Sequence, residues 1–139
     1  GIDLDLLLAN PDIPQLSLED FSVRVHEYGG ILIQAHPYRY GGWEVPVRAE
    51  LLDGIEIFNW GNPPLKNRMA LRKAQELGCI MTAGADTHSA SELRVGVAGI
   101  ALPYRIHNAQ ELVEALKKGD HQCIIHSKLC PAPTEDDMD

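Results

Sequence analysis

The chain has 139 residues, 45% of them hydrophobic, with 12 lysines and arginines against 20 aspartates and glutamates, a formal net charge of −8 and a pI near 5.1. That is enough for one domain with a real core. It is too acidic for a broad, non-specific grip on nucleic acid, whose phosphates demand a basic face. No run approaches the roughly 20 apolar residues that a membrane span needs, and no signal-peptide pattern opens the chain, so no membrane association is expected. The three cysteines, Cys79, Cys123 and Cys130, are odd in number and form no CxxC pair. That usage fits a reducing, cytoplasmic setting better than a disulfide scaffold. The sequence opens on Gly1, which is compatible with a piece of something longer.

Residues 1–16 give a short apolar segment, DLLLA, broken by Asn10, Pro11 and Pro14. Ser17 and Asp20 then resemble a capping box with the shorter acid, and Leu18, Phe21, Val25 and Tyr28 recur at helical spacing. This predicts a helix over about 18–28, stopped by Gly29 and Gly30. A buried strand is expected at 31–35, followed by the loop PYRYGGWEVP and a short helix from Val47 to Leu52. Strand GIEIF (54–58) and a second loop, NWGNPP, come next. Leu65, Met69, Ala70, Ala74 and Leu77 form an apolar helical stripe that Gly78 ends. Strand 79–83 delivers Gly84 and the loop ADTHS, and VGVAGIAL (95–102) reads as another buried strand. Asn108 and Glu111 cap the helix AQELVEALKK up to Gly119, and QCIIH forms a last strand. The ending PAPTEDDMD, rich in acid and proline, reads as a frayed, solvated terminus. Strands and helices alternate with short connections, which predicts a layered or barrel α/β fold with parallel strands.

Two of these strands stop at residues able to hold a metal: His36 after the first, and Asp86 with His88 after the third. In parallel α/β folds the carboxyl ends of neighbouring strands share one edge, where distant side chains converge. A carboxylate oxygen beside an imidazole nitrogen suits Zn²⁺, Mn²⁺ or Fe²⁺. Arg39, just past His36 and Pro37, is suited to clamp a phosphate oxygen pair. Blander readings also stand at this point. A histidine at a strand end is often a satisfied structural residue, and Arg39 could simply pair with Glu44 or Glu56. His121, Cys123, His126 and Cys130 superficially resemble zinc spacing, yet a core cysteine and surface histidines explain them better. His26 belongs to a solvated helix face, while Trp43 and Trp60 either wall a pocket or cover the mouth of the fold.

GGILIQAHPYR, LLDGIEIFN, a helix containing Asn67 and Ala70, LGCIMTAGADTHS and the pair Val95-Gly96 together resemble the later half of a PHP (polymerase and histidinol phosphatase) domain, over about residues 17–126. The resemblance implies a partial (β/α)7-type PHP barrel with parallel strands, preceded by an N-terminal segment (1–16) and followed by a disordered acidic tail (127–139). By position it makes His36, Asp86 and His88 metal ligands, Arg39 a catalytic phosphate contact, and Glu56 and Asn59 supporting or substrate-edge residues. It further implies up to three divalent ions (Mn, Zn or Fe) and hydrolysis of a phosphomonoester or a nucleotide-type phosphodiester by hydroxide formed from a metal-bound water. The expected partner is a small phosphorylated substrate, with nucleic acid not favoured. Ala85 and Thr87 stand where Ser and Ala are commoner, and neither change removes a donor. The family's opening H-x-H strand and the His and Glu ligands after it have no counterpart here. The expectation is therefore an incomplete site that the missing N-terminal half of the barrel, or another chain, would complete. The alternative is a non-catalytic PHP-like remnant acting as a structural or regulatory module.

Overall fold

The computed structural model describes residues 11–12, 15–39, 48–89 and 91–139. The expectations for residues 1–10, Trp43 and Glu44 lie outside the described residues. In chain order the elements are α1 (Leu18–Glu27), β1 (Ile33–Gln34), a 3₁₀ turn (Ala49–Leu51), β2 (Gly54–Asn59) and α2 (Pro64–Leu77). They continue with β3 (Ile80–Gly84), β4 (Gly99–Ala101), α3 (Ala109–Lys118), β5 (Gln122–Ile125), β6 (Lys128–Cys130) and a 3₁₀ turn (Glu135–Met138).

The helix boundaries follow the local chemistry read from the sequence. Ser17 Oγ accepts the Asp20 N–H at 3.1 Å and starts α1. Asn108 Oδ1 accepts the Glu111 N–H at 2.9 Å and starts α3. Pro64 occupies the first turn of α2, where its missing N–H costs nothing. Helices α2 and α3 end at Gly78 and Gly119, both in the left-handed conformation at φ 62° and 74°. The buried face of α2 differs from the expected stripe: it is Asn67, Ala70, Leu71 and Ala74, while Leu65 and Leu77 are exposed.

Strands β1, β2 and β3 form a parallel sheet in the order β1-β2-β3, which is the expected α/β arrangement. Ile55, Ile57 and Phe58 of the central strand are buried in the core that includes Ala70, Leu71 and Ala74 of α2. Strand β1 covers only Ile33 and Gln34 of the expected 31–35. No full barrel is formed among the described residues.

The second sheet departs from the expectation of parallel strands. Strands β4, β5 and β6 are antiparallel throughout, with Ile100 opposite Cys123 and Cys123 opposite Cys130. The expected strand 95–102 shrinks to Gly99–Ala101, and Val95 is exposed. Strand β4 pairs antiparallel with β5, and β5 folds back on an unexpected further strand, β6, through a hairpin. Its two turn residues, His126 and Ser127, have φ of 49° and 61°, as a tight primed hairpin turn requires. Neither is the glycine or asparagine that announces such a turn. Tertiary contacts hold it: the His126 ring meets Phe58 and Trp60 edge-on at 5.1 and 5.5 Å, and the Ser127 N–H donates to Val97 O at 2.8 Å.

The ending expected to be frayed is folded. Lys128–Cys130 pair in β6, and the Thr134–Asp137 capping box starts the last turn. Met138 inserts into the main core at 1% exposure. Basic residues of α2 meet acidic residues of this tail: Arg72 makes a bidentate pair with Glu135 at 2.6 Å for both bonds, and Arg68 pairs with Asp139. Among the described residues no helix is long and apolar enough to cross a membrane.

This division of labour is measurable. Met138→Ala should lower the urea unfolding free energy by about 2–5 kcal/mol through lost burial and a residual cavity. Arg72→Ala, breaking an exposed pair, should cost no more than about 1 kcal/mol. The two falling equally would show that the tail is held by charge and not by its methionine.

Candidate functional site

Because β1 and β3 flank β2 in one parallel sheet, the segments following all three strands reach the same edge. Residues 36–39, 59–62 and 85–88 meet there. The Arg39 guanidinium joins them: its Nε donates to Asn62 Oδ1 at 2.9 Å, and its Nη2 donates to Asp86 Oδ2 at 3.1 Å and to Asn59 Oδ1. Of the expected alternatives for Arg39, Glu44 lies outside the described residues, and Glu56 is not among the partners of the guanidinium. Glu56 instead accepts the His36 backbone N–H at 2.6 Å and the Asn59 side-chain amide at 3.0 Å. Asn59 thus ties Glu56 to Arg39.

Two glycines make room for this packing. A Cβ on Gly84 would collide with Glu56 Oε1, and one on Gly61 would fall on Asp86 Oδ2 and come within 2.8 Å of Arg39 Nη2. The backbone is also strained at the rim. His36, Tyr38 and Asp86 have φ of 31°, 67° and 55°. Aspartate and histidine tolerate this region better than most side chains, yet each such residue still costs on the order of 1–3 kcal/mol. His36 and Asp86 lie within two residues of the ends of β1 and β3, so the strain gathers on the two segments the sequence singled out.

His88 is exposed. Its Nδ1 lies 2.9 Å from the Asp86 backbone carbonyl, and its N–H donates to Glu92 at 3.1 Å. Since a carbonyl only accepts, Nδ1 carries the proton and the lone pair falls on Nε2. Glu92 is itself paired with Arg94. Trp60 lines an open depression with Glu92, Leu93 and Arg94 beside this rim.

The donors present fit a divalent ion in part. The Asp86 carboxylate and His88 Nε2 are suitable, and a ring nitrogen held by a carbonyl is the usual support for a ligating imidazole. Among the described residues, however, no three His, Cys, Asp or Glu side chains are grouped to hold a metal, so Asp86 and His88 are not joined by a third donor there. The same holds for the zinc-like spacing near the C-terminus. His121 Nε2 donates to Met81 O at 2.8 Å, Cys123 and Cys130 pack inward, and His126 packs against Phe58 and Trp60. Burial pushes the Cys123 thiol up to about 11, with Cys130 adding to the effect, so it is inert at neutral pH. His26, read as solvated, is exposed and its Nε2 lies 2.8 Å from Asp53 Oδ2.

Sequence reasoning did not single out Asn62 or Gly61, and it named Asn67 only within the PHP resemblance, without a role at the rim. Asn67 is 2% exposed on the inner face of α2, and its side chain bonds both backbone groups of Asn59. The only signal of such a role was an asparagine inside an otherwise apolar helical face.

Residues 64–121 match the family described as PHP-associated. The chain is similar to this family over that segment. No curated protein and no solved structure gives a significant match. The PHP-associated segment carries Asn67, Asp86 and His88, while His36, Arg39, Glu56 and Asn59 precede it.

Partial burial raises the Asp86 pKa, but the Arg39 hydrogen bond and charge, with His88 and Arg94 adding, outweigh it and hold the carboxyl below its ordinary value. A folded value below the unfolded one means that the pair stabilises the protein above the unfolded pKa and loses that effect as pH falls through the folded pKa. Carboxyl ¹³C titration should therefore give Asp86 a midpoint under the ordinary aspartate range, and Arg39→Ala should move it upward. An unmoved midpoint would show that the ion pair does not control this carboxyl.

Proposed function

We propose that the rim at the carboxyl ends of β1, β2 and β3 is the C-terminal part of a PHP-type, divalent-metal phosphoesterase site. The observation that carries this reading is the meeting of Arg39 and Asp86, 47 residues apart, at half-closed positions with 17% and 18% side-chain exposure. A cation and a carboxylate at one accessible strand edge, beside an imidazole with an available lone pair, form the donor chemistry for an ion and a phosphate together.

Asp86 and His88 would hold the metal, be it Mn, Zn or Fe; His36, the third expected ligand, is not grouped with them, so further donors would come from outside the described residues. When bound, a divalent ion supplies Lewis acidity toward the phosphoryl oxygens and acidifies water. Arg39 supplies planar N–H donors to the non-bridging oxygens, where negative charge develops in the transition state. Asn59 and Asn62 hold the guanidinium in orientation, and Glu56 fixes the backbone at His36. The Arg39 contact with Asp86 is the one a dianionic phosphate would compete for. A small phosphorylated substrate suits this rim better than nucleic acid, given a chain of net charge −8.

A second reading, a PHP-like remnant with a structural or regulatory role, draws on the absence of a three-donor group among the described residues. The two separate in one experiment on the protein in its natural length: calorimetric titration with Mn²⁺, then hydrolysis of an aryl phosphate with and without the ion. On the phosphoesterase reading Mn²⁺ binds and supports turnover. Asp86→Asn and His88→Gln should each lower activity by at least the roughly 10–100-fold that loss of even a supporting residue costs a metal site. Turnover retained in both variants would discard the reading, and a protein that takes up no Mn²⁺ would favour the remnant.

A further inference from the structure

Asn67 is a polar side chain buried to 2% on a helix face whose other buried residues are Ala70, Leu71 and Ala74. A leucine at this point of α2 would fill the space without the cost of desolvating an amide. The amide is retained with both ends satisfied: Oδ1 accepts the Asn59 N–H at 3.2 Å, and Nδ2 donates to Asn59 O at 3.2 Å. Asn67 thus bonds the final residue of β2 as a neighbouring strand would. The β2–β3 register shifts between Glu56 and Phe58, so the sheet itself is irregular just before this residue.

What hangs from Asn59 gives the clamp its consequence. Its carbonyl also accepts the Asn62 N–H at 3.0 Å, which closes the tight turn 59–62. Its side-chain oxygen accepts the Gly61 N–H at 2.9 Å and a bond from Arg39 Nη2. Asn62 accepts Arg39 Nε from the far side of the same turn. Of the three groups that receive hydrogen bonds from the Arg39 guanidinium among the described residues, two therefore sit on the segment that Asn67 grips, and the third is Asp86.

We propose that Asn67 is the positioning residue for the Arg39 guanidinium: it locks the 59–62 turn, and the turn aims the guanidinium at the rim. Asn67 touches neither phosphate nor metal and acts only through Asn59 and Asn62. The structural part stands on the hydrogen bonds alone, while the consequence for phosphate rests on the phosphoesterase reading above.

The test reads Arg39 directly. The Arg39 Nε–H resonance in a ¹⁵N correlation spectrum is assigned by its disappearance in Arg39→Lys. Its hydrogen exchange is then measured in wild type, in Asn67→Leu and Asn67→Asp, and in Leu71→Ala. The last is a control on the same helix that removes a fully buried side chain without touching Asn59. Both Asn67 variants should speed Nε–H exchange by roughly five- to tenfold, the factor implied by one lost buried hydrogen bond. Leu71→Ala should lower thermal stability and leave that exchange near wild type. Should Asn67→Leu fail to fold, Asn67→Asp, which keeps the oxygen and loses the donor, carries the test. Nε–H exchange unchanged in the folded Asn67 variants, or accelerated equally in the control, would overturn the proposal. In parallel, inorganic phosphate is titrated in the presence of Mn²⁺. Weaker phosphate binding in Asn67→Leu, with no additional loss when combined with Arg39→Lys, is the expected coupling, and independent additive losses would contradict it. A wild-type protein that binds no phosphate would count against the phosphoesterase reading alone, since the exchange measurement still decides the role of Asn67.

Discussion

A guanidinium that is mostly removed from water must keep its donors paired, and in this protein that requirement is met by groups from two other strand ends. Arg39 follows β1, Asn59 and Asn62 belong to the end of β2 and its turn, and Asp86 follows β3. Removing any one acceptor leaves a partly buried charge with a missing partner, which costs more than the net gain of a typical hydrogen bond. The relative placement of the three loops is thus set by one side chain. The parallel sheet brings the loops to a common edge, and Arg39 determines how they lie there. Gly61 and Gly84 follow from the same constraint, since a methyl group at either position would occupy space that Asp86 or Glu56 fills.

Where structure is decided by neighbouring residues, the sequence was a good guide. The caps at Ser17 and Asn108, the stops at Gly78 and Gly119, and the parallel trio β1–β2–β3 could all be read in this way. What escaped was decided by distant contacts. The β5–β6 turn consists of His126 and Ser127, whose left-handed backbone is supported by Phe58, Trp60 and Val97. No local rule predicts a turn there, and without the turn β6 would not fold back on β5. The tail was misjudged for a related reason. Its acids look solvating in isolation, yet Arg68 and Arg72 on α2 offer matching charges, and one methionine reaches the core.

The candidate site divides along the same line. His36, Asp86 and His88 could be picked out because each stands just after a strand end, visible as an interrupted apolar run, with Arg39 close behind His36, whereas Glu56 and Asn59 were singled out through the PHP resemblance. Asn62 could not, and Asn67 entered only through the PHP resemblance, without a role. The first sits in a loop of ordinary turn composition. The second occupies a helical position whose inward direction becomes clear only when the buried face of α2 is known to be Asn67, Ala70, Leu71 and Ala74 rather than the larger apolar residues. Leu65 and Leu77 drew the expected stripe toward themselves and are exposed.

Electrostatics at the rim follows from these placements. A protein of net charge −8 repels a phosphate at long range, so any phosphate it binds must be attracted by local positive charge. Arg39 is a local cation, but its charge is neutralised by Asp86 at 3.1 Å. On the phosphoesterase reading, a divalent ion satisfying Asp86 would release the guanidinium to an incoming phosphate. The two ligands would then raise each other's affinity by the same factor, as linkage requires. The clamp from Asn67 through Asn59 matters in that exchange, because a guanidinium that loses its carboxylate partner stays aimed at the rim only if the two asparagines continue to hold it.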